Sequence, residues 1–294
     1  MQFRRETNIG SIDMQDHSSL LNKLRKPLES GKIQLPPFSA TAMKIQQEAT
    51  QKNPDTDLIE KLIMSDQALT TKILKMANSS YYQGLSEIKT VRNAIVRLGT
   101  QEVSKITMMV TQRGRYKAKD KAINQQMREL WKHSVGCAVA SNWICRKIGF
   151  DQPLQEVFFT GLLHDVGKLF MLTMLDRIKL TYEQPDQFSE AFILELVNGS
   201  LHVIYGYELL KKWNLPEKYC EITRNHHSEV LDKDDILLMA VQLGNKACNN
   251  LNIGLRDKPR ISLTDTEQFH LLGLSEIDMA ELEKKLTDSK ILAS

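Results

Sequence analysis

One stripe along residues 123–148 does most to limit how this chain can fold. Glu129, His133, Cys137, Ala140 and Ile144 recur at spacings of four, four, three and four. That period belongs to one face of a helix, and most of the face is apolar. His133 therefore points inward, with Glu129 one turn below it. His202, Gly206, Leu209 and Trp213 make a second such stripe, and Leu237, Val241, Asn245 and Cys248 a third. Three helices thus each send polar side chains into an apolar interior. Burying polar groups is costly unless they find partners. A shared metal centre would satisfy them together.

The rest of the chain reads as helical too. A helix is expected from Ser18 or Ser19 to Leu28, and Leu35-Pro36-Pro37 then breaks it. Shorter helices follow over 39–51, from Asp55 or Thr56 to Met64, and from the Ser65-Asp66-Gln67 cap through Ala77. Another runs from Thr90 to Leu98, stopped by Gly99, and the next starts near Gln101-Glu102. Beyond the long helix, further helices are expected at 189–198, 200–213, 216–225 and 234–250. Ser275-Glu276-Ile277-Asp278 opens a last one through Leu286 in capping-box style. No segment alternates with the period of two that a strand needs. Aromatics are 6% and Gly and Pro together number 22, which also favours helices.

Arg113, Arg115, Lys117, Lys119 and Lys121 alternate with small or polar residues. The run reads as a solvated connection between two lobes rather than a nucleic-acid patch. A net charge of +3 is too weak to argue for nucleic acid by itself. No apolar run reaches the roughly 18 residues of a membrane span, and the start lacks a signal-peptide core. The expectation is a cytoplasmic protein with no membrane partner. Cys137, Cys145, Cys220 and Cys248 form no CxxC pair and read as reduced core thiols.

Gly161-Leu162-Leu163-His164-Asp165-Val166-Gly167-Lys168 places a nitrogen ligand beside a carboxylate at the end of an apolar helix. With His133 upstream and His202, His226 and His227 downstream, the order resembles the HD superfamily of metal-dependent phosphohydrolases. Ser65-Asp66-Gln67, Ala77-Asn78-Ser79 and Ala94-Ile95-Val96-Arg97-Leu98-Gly99 narrow it. So do Trp213-Asn214-Leu215-Pro216 and His226-His227. Together they resemble the HDOD family, the HD-related output domain of bacterial signalling proteins, over roughly 20–250. The resemblance implies an all-α fold of two helical lobes, the second an HD-like bundle. The boundaries expected are a flexible 1–17, an HDOD domain over 18–253 with lobes 18–115 and 120–253, and a helical tail over 254–294.

The resemblance further implies a regulatory module that binds a protein partner or a signalling ligand, a cyclic dinucleotide among the candidates. The alternative is a phosphohydrolase acting on a nucleotide or cyclic dinucleotide. In the related HD-GYP enzymes, the positions of Glu129, His133, His164, Asp165, His202, His226 and His227 hold two or three metals, and the resemblance implies one or two iron, manganese, nickel or zinc ions here. Lys168 would contact phosphate in an active relative, or else favour a helix C-terminus. Two departures matter. Asn245 stands where the enzymes carry a last aspartate, and Ser228-Glu229-Val230-Leu231 replaces their Gly-Tyr-Pro loop. Two divalent cations set against Glu129, Asp165 and a bridging hydroxide leave one positive charge over. An aspartate at 245 would cancel it, so asparagine should weaken metal affinity.

Overall fold

The computed structural model describes residues 39–79, 81–82, 84, 86–150, 154–181, 189–255 and 260–288. The expected helix at 18–28, the Leu35-Pro36-Pro37 break and the 1–17 segment lie outside them. All regular structure among the described residues is helical.

Five helices come first: α1 (Ala40–Ala49), α2 (Thr56–Met64), α3 (Gln67–Ala77), α4 (Val91–Leu98) and α5 (Thr100–Arg113). Side chains of Ser39, Asp55, Asp66 and Thr90 each accept the orphan backbone N–H three residues on. Each cap contributes about 1 kcal/mol, which is why such short helices hold their ends. Gly99, at φ 85°, separates α4 from α5. The five pack on one another through Ile45, Ile59, Ile63, Ile73 and Ile106, all fully buried. Asn78 locks the end of α3. Its Nδ2 donates to the Leu74 and Ile88 carbonyls (2.9 and 2.8 Å), and its Oδ1 accepts from Ile88 N (2.8 Å). We expect Asn78→Ala to cost about 2 kcal/mol in chemical denaturation, because Ile88 loses both its partners. An unchanged midpoint would contradict the role given to this side chain.

The second group is built on α6 (Lys121–Lys147), a 27-residue helix. It packs along α7 (Leu154–Leu163) and α12 (Ile236–Asn250). α8 (Val166–Thr181) lies on α6 and crosses α10 (Leu201–Lys212), with α9 (Glu190–Asn198) and α11 (Glu217–Asn225) closing the bundle. α5 meets α7, which joins the two groups. Two glycines set how closely the helices approach. A Cβ on Gly161 would come within 2.8 Å of Ala138 Cα, and one on Gly167 within 1.8 Å of the His202 carbonyl oxygen.

The helical tail folds back on the body. α13 (Glu267–Leu271) packs on α12, and α14 (Glu276–Thr287) on α6. Ser275 and Asp278 form the capping box, and Leu272, Leu274, Leu282 and Leu286 are buried. Lys147 on α6 pairs with Asp278 (2.8 Å) and Glu281 (3.0 Å).

The basic run before α6 exposes Arg113, Lys117, Lys119 and Lys121 to solvent, and the backbone that carries them is anchored. Tyr116 is buried, with its ring 5.0 Å from Trp131 and its hydroxyl 3.4 Å from Ser134 Oγ. Arg115 lies over the Trp213 ring, and the Asp176 carboxylate accepts from the Lys119 and Asp120 backbone N–H groups. One expectation changes, and it concerns apolar length. Glu156–Leu180 spans 25 residues at a hydropathy of 1.3, enough for a membrane span by length and composition. The share of its most apolar window buried inside the protein is 94%, so it serves here as a core segment.

Candidate metal centre

His164 and Asp165 occupy the two-residue turn between α7 and α8. Both are fully buried. Around that turn the bundle gathers His133 from α6, His202 from α10, and His226 and His227 from just beyond α11. His133, His202 and His226 are buried, and His227 is exposed.

Four of the histidines share one hydrogen-bonding pattern. Nδ1 of His133 donates to the Ile253 carbonyl (2.9 Å), and Nδ1 of His164 to Gly161 (2.7 Å). Nδ1 of His202 donates to Gly199 (2.6 Å), and Nδ1 of His226 to Thr223 (2.8 Å). A carbonyl oxygen only accepts, so Nδ1 carries the proton. In a neutral ring Nε2 is then a bare lone pair, the arrangement that backbone partners impose on metal-binding histidines.

All four Nε2 atoms turn toward Asp165. His133 and His164 lie 3.4 and 3.3 Å from its Oδ2, and His202 and His226 lie 3.5 and 3.4 Å from its Oδ1. His202 Nε2 and His226 Nε2 are 3.4 Å apart. Lone pairs facing a carboxylate repel unless a cation stands among them. Protons on His133, His202 and His226 do not supply it near neutrality. Burial pushes His133 down to about 4, and His202 and His226 down to about 3, against the partial counter-pull of Asp165. Burial alone would raise the Asp165 carboxyl. Lys168 and the His164 and His226 rings outweigh it and hold it well below the carboxylate range. His164 Nε2 and Asp165 Oδ1 are buried without a hydrogen-bond partner. The donor set therefore fits a divalent cation.

The ligand atoms fall into two groups on either side of the carboxylate. Asp165, His202, His226 and His227 each offer an atom within 4.8 Å of the others, and so do His133, Cys137 and His164. A cavity of 70 Å³ adjoins them, lined by His133, Asp165, Lys168, His227 and Asn245 among others. Asn245 thus borders the centre as its stripe implied. Its Oδ1 accepts from Asn249 Nδ2 (3.1 Å).

Glu129 stands apart from the set in which it was expected. It is half-buried, and its carboxylate accepts from Lys132 Nζ (3.0 Å) and Gln125 Nε2 (2.9 Å) on its own helix. Lys168 also differs from its expected place. It sits in the first turn of α8, not at a helix C-terminus, and its Nζ donates to Asp165 Oδ2 (2.8 Å). Cys137 is a buried free thiol as expected, and its Sγ also lies 3.5 Å from His133 Nε2. Burial, then the neighbouring Cys248, push its thiol well above the usual range. Its place one turn after His133 was the available signal.

Comparison with known proteins follows the same lines. The family model for the HDOD domain matches residues 35–229. An uncharacterized protein of Treponema pallidum (strain Nichols) is 25% identical over 182 residues, covering 60% of this chain. The match covers 35% of that protein, so the chain spans about a third of the curated relative's length. An HDOD domain protein of unknown function from Geobacter sulfurreducens superposes with a TM-score of 0.74. Its identity is 24%, over 95% of this chain and 97% of that one. A Shewanella amazonensis SB2B structure, described as a candidate metal-dependent phosphohydrolase, superposes at 0.64. Its identity is 17%, over 93% and 100% of the two chains.

Proposed function

Because the chain belongs to the HDOD family, and because its histidines and Asp165 gather at one buried centre, we propose that it is a regulatory module whose centre holds a divalent metal for structure rather than for hydrolysis. Its output is the binding of a protein partner or a signalling ligand. The observation that carries the reading is the set of four histidines with Nδ1 committed to backbone and Nε2 turned onto Asp165. Asp165, His202, His226 and His227 would hold the ion. Four protein ligands close a tetrahedral site, whereas catalytic sites keep a position open for water. A bound cation would supply charge neutralisation there and tie the α7–α8 turn, α10 and the segment after α11 together. Lys168 keeps the second carboxylate oxygen engaged.

Hydrolysis of a nucleotide or cyclic dinucleotide is the second reading, favoured by the other donor group at His133, Cys137 and His164. A hydrolase must hold its metals firmly enough to lower the pKa of bound water. An amide, Asn245, borders the centre where the resemblance implies a carboxylate, and the Lys168 ammonium already sits on Asp165 Oδ2. The test is elemental analysis of protein purified without chelator, followed by a phosphodiesterase assay with manganese or iron. We expect bound transition metal and no turnover by the unmodified protein. Asn245→Asp should raise metal affinity about tenfold or more. Robust turnover by the unmodified protein would overturn the regulatory reading, and a metal-free preparation that stays metal-free on reconstitution would remove the metal.

A further inference from the structure

A second cavity lies away from the Asp165 centre and shares no lining residue with it. It has a volume of 450 Å³ and is walled by the segment after α3, by α5, α6 and α7, and by the tail helix α14. From this geometry we infer a binding site for a nucleoside phosphate, with the base against Tyr81 and Trp143 and the phosphates against Arg146 and Lys285.

The size is that of a small-molecule pocket, for which about 300–1,000 Å³ is usual. A helix, about 10–12 Å across with its side chains, does not fit it. The walls are mixed in a particular way. Tyr81 is 36% exposed and meets Tyr82 edge-on, with ring centroids 4.7 Å apart. Trp143, half-buried on α6, supplies a second aromatic surface. Aromatic faces accept a planar heterocycle by stacking, which contributes about 1–3 kcal/mol per base.

Charge decides what the heterocycle carries. Glu102 is the one acid of the lining, and it is already engaged. Its Oε1 accepts from the Tyr82 hydroxyl (2.7 Å), and its Oε2 from Lys105 Nζ (3.2 Å). Lys105 is itself 5% exposed, so this is a built polar floor and not a chance surface pairing. Arg146 and Lys285 remain. Both are exposed, and neither has an ion-pair partner among the described residues. An uncommitted guanidinium and ammonium beside aromatic walls match a phosphate tail. Lys285 lies beyond the residues the HDOD model matches, so the tail helix completes the site in this chain.

The full chain, treated with chelator, should be titrated with ATP, adenosine and inorganic triphosphate by calorimetry and tryptophan fluorescence. We expect ATP to bind with Kd below about 1 mM. Adenosine and triphosphate should each bind at least about tenfold more weakly, a loss of about 1.4 kcal/mol. Arg146→Glu combined with Lys285→Glu should weaken ATP by the same factor or more while leaving the melting temperature in place, since both side chains are exposed. His202→Ala should leave ATP binding unchanged. Absence of binding at about 1 mM ATP overturns the site. So does adenosine or triphosphate binding as tightly as ATP, or indifference to the double charge reversal. Loss of binding in His202→Ala moves the ligand to the Asp165 centre and also overturns it. None of these outcomes depends on whether the centre holds metal.

Discussion

Replacing Gly167 by alanine should destabilise the protein by at least about 3 kcal/mol, the upper range for overpacking a core. The added Cβ would stand 1.8 Å from the His202 carbonyl oxygen and 2.7 Å from the Gly206 backbone nitrogen. Those are backbone atoms of α10, so no side-chain rotation relieves the contact. α10 would have to move off α8 by well over an ångström. His202 rides on α10, so any molecules that still fold should also hold metal more weakly. Gly114→Ala is the matched control. Nothing lies within 4 Å of its added Cβ, and its φ of −59° suits alanine. We expect that change to stay within about 0.5 kcal/mol of neutral. Thermal and urea melts of both variants decide the matter. Equal melting temperatures for the two would mean that the α8–α10 crossing is not as close as described.

Much of the architecture could be read before any coordinates. Helix starts were legible where a capping side chain precedes an apolar stripe, as at Asp55, Asp66, Thr90 and Ser275. The inward direction of His133 and Asn245 followed from the period of their stripes, because periodicity fixes where Cα–Cβ bonds point. It does not fix where a long side chain ends. Glu129 shares the His133 face by count, yet its carboxylate leans along the helix to Lys132, three residues on. Lys168 was misplaced for a related reason. The helix end at His164-Asp165 was legible, but the largely apolar run after it carries no cap that marks the fresh helix start at Val166. At 113–121 composition gives the solvated charges and misses the anchor. Tyr116 and the distant Asp176 acceptor hold that turn, and neither contact is visible from local sequence.

The metal-free protein should be sharply acid-sensitive between pH 7 and 5, and metal should blunt that sensitivity. His133, His202 and His226 have folded values of about 4, 3 and 3, below the unfolded value near 6.5. The unfolded chain therefore binds protons that the folded chain refuses. Stability is fully present above about pH 6.5 and falls as the pH drops toward the folded values. Three such groups give a slope of up to about 4 kcal/mol per pH unit below pH 6, and a loss of roughly 5 kcal/mol from pH 7 to 5. That rivals the whole stability of a typical domain, about 5–15 kcal/mol. Asp165 does not offset the effect. Its folded value is held low, so its own contribution persists through this window and is lost only in stronger acid. A bound cation competes with protons for the same Nε2 atoms. At free metal about a thousand times Kd it would add about 4 kcal/mol at neutral pH. Urea melts of chelated and reloaded protein at pH 7, 6 and 5 measure all of this. His202→Gln, which cannot titrate, should remove about a third of the slope in the chelated protein. Flat stability from pH 7 to 5 without metal would mean that these rings already share protons with Asp165, and the demand for a cation at the centre would disappear.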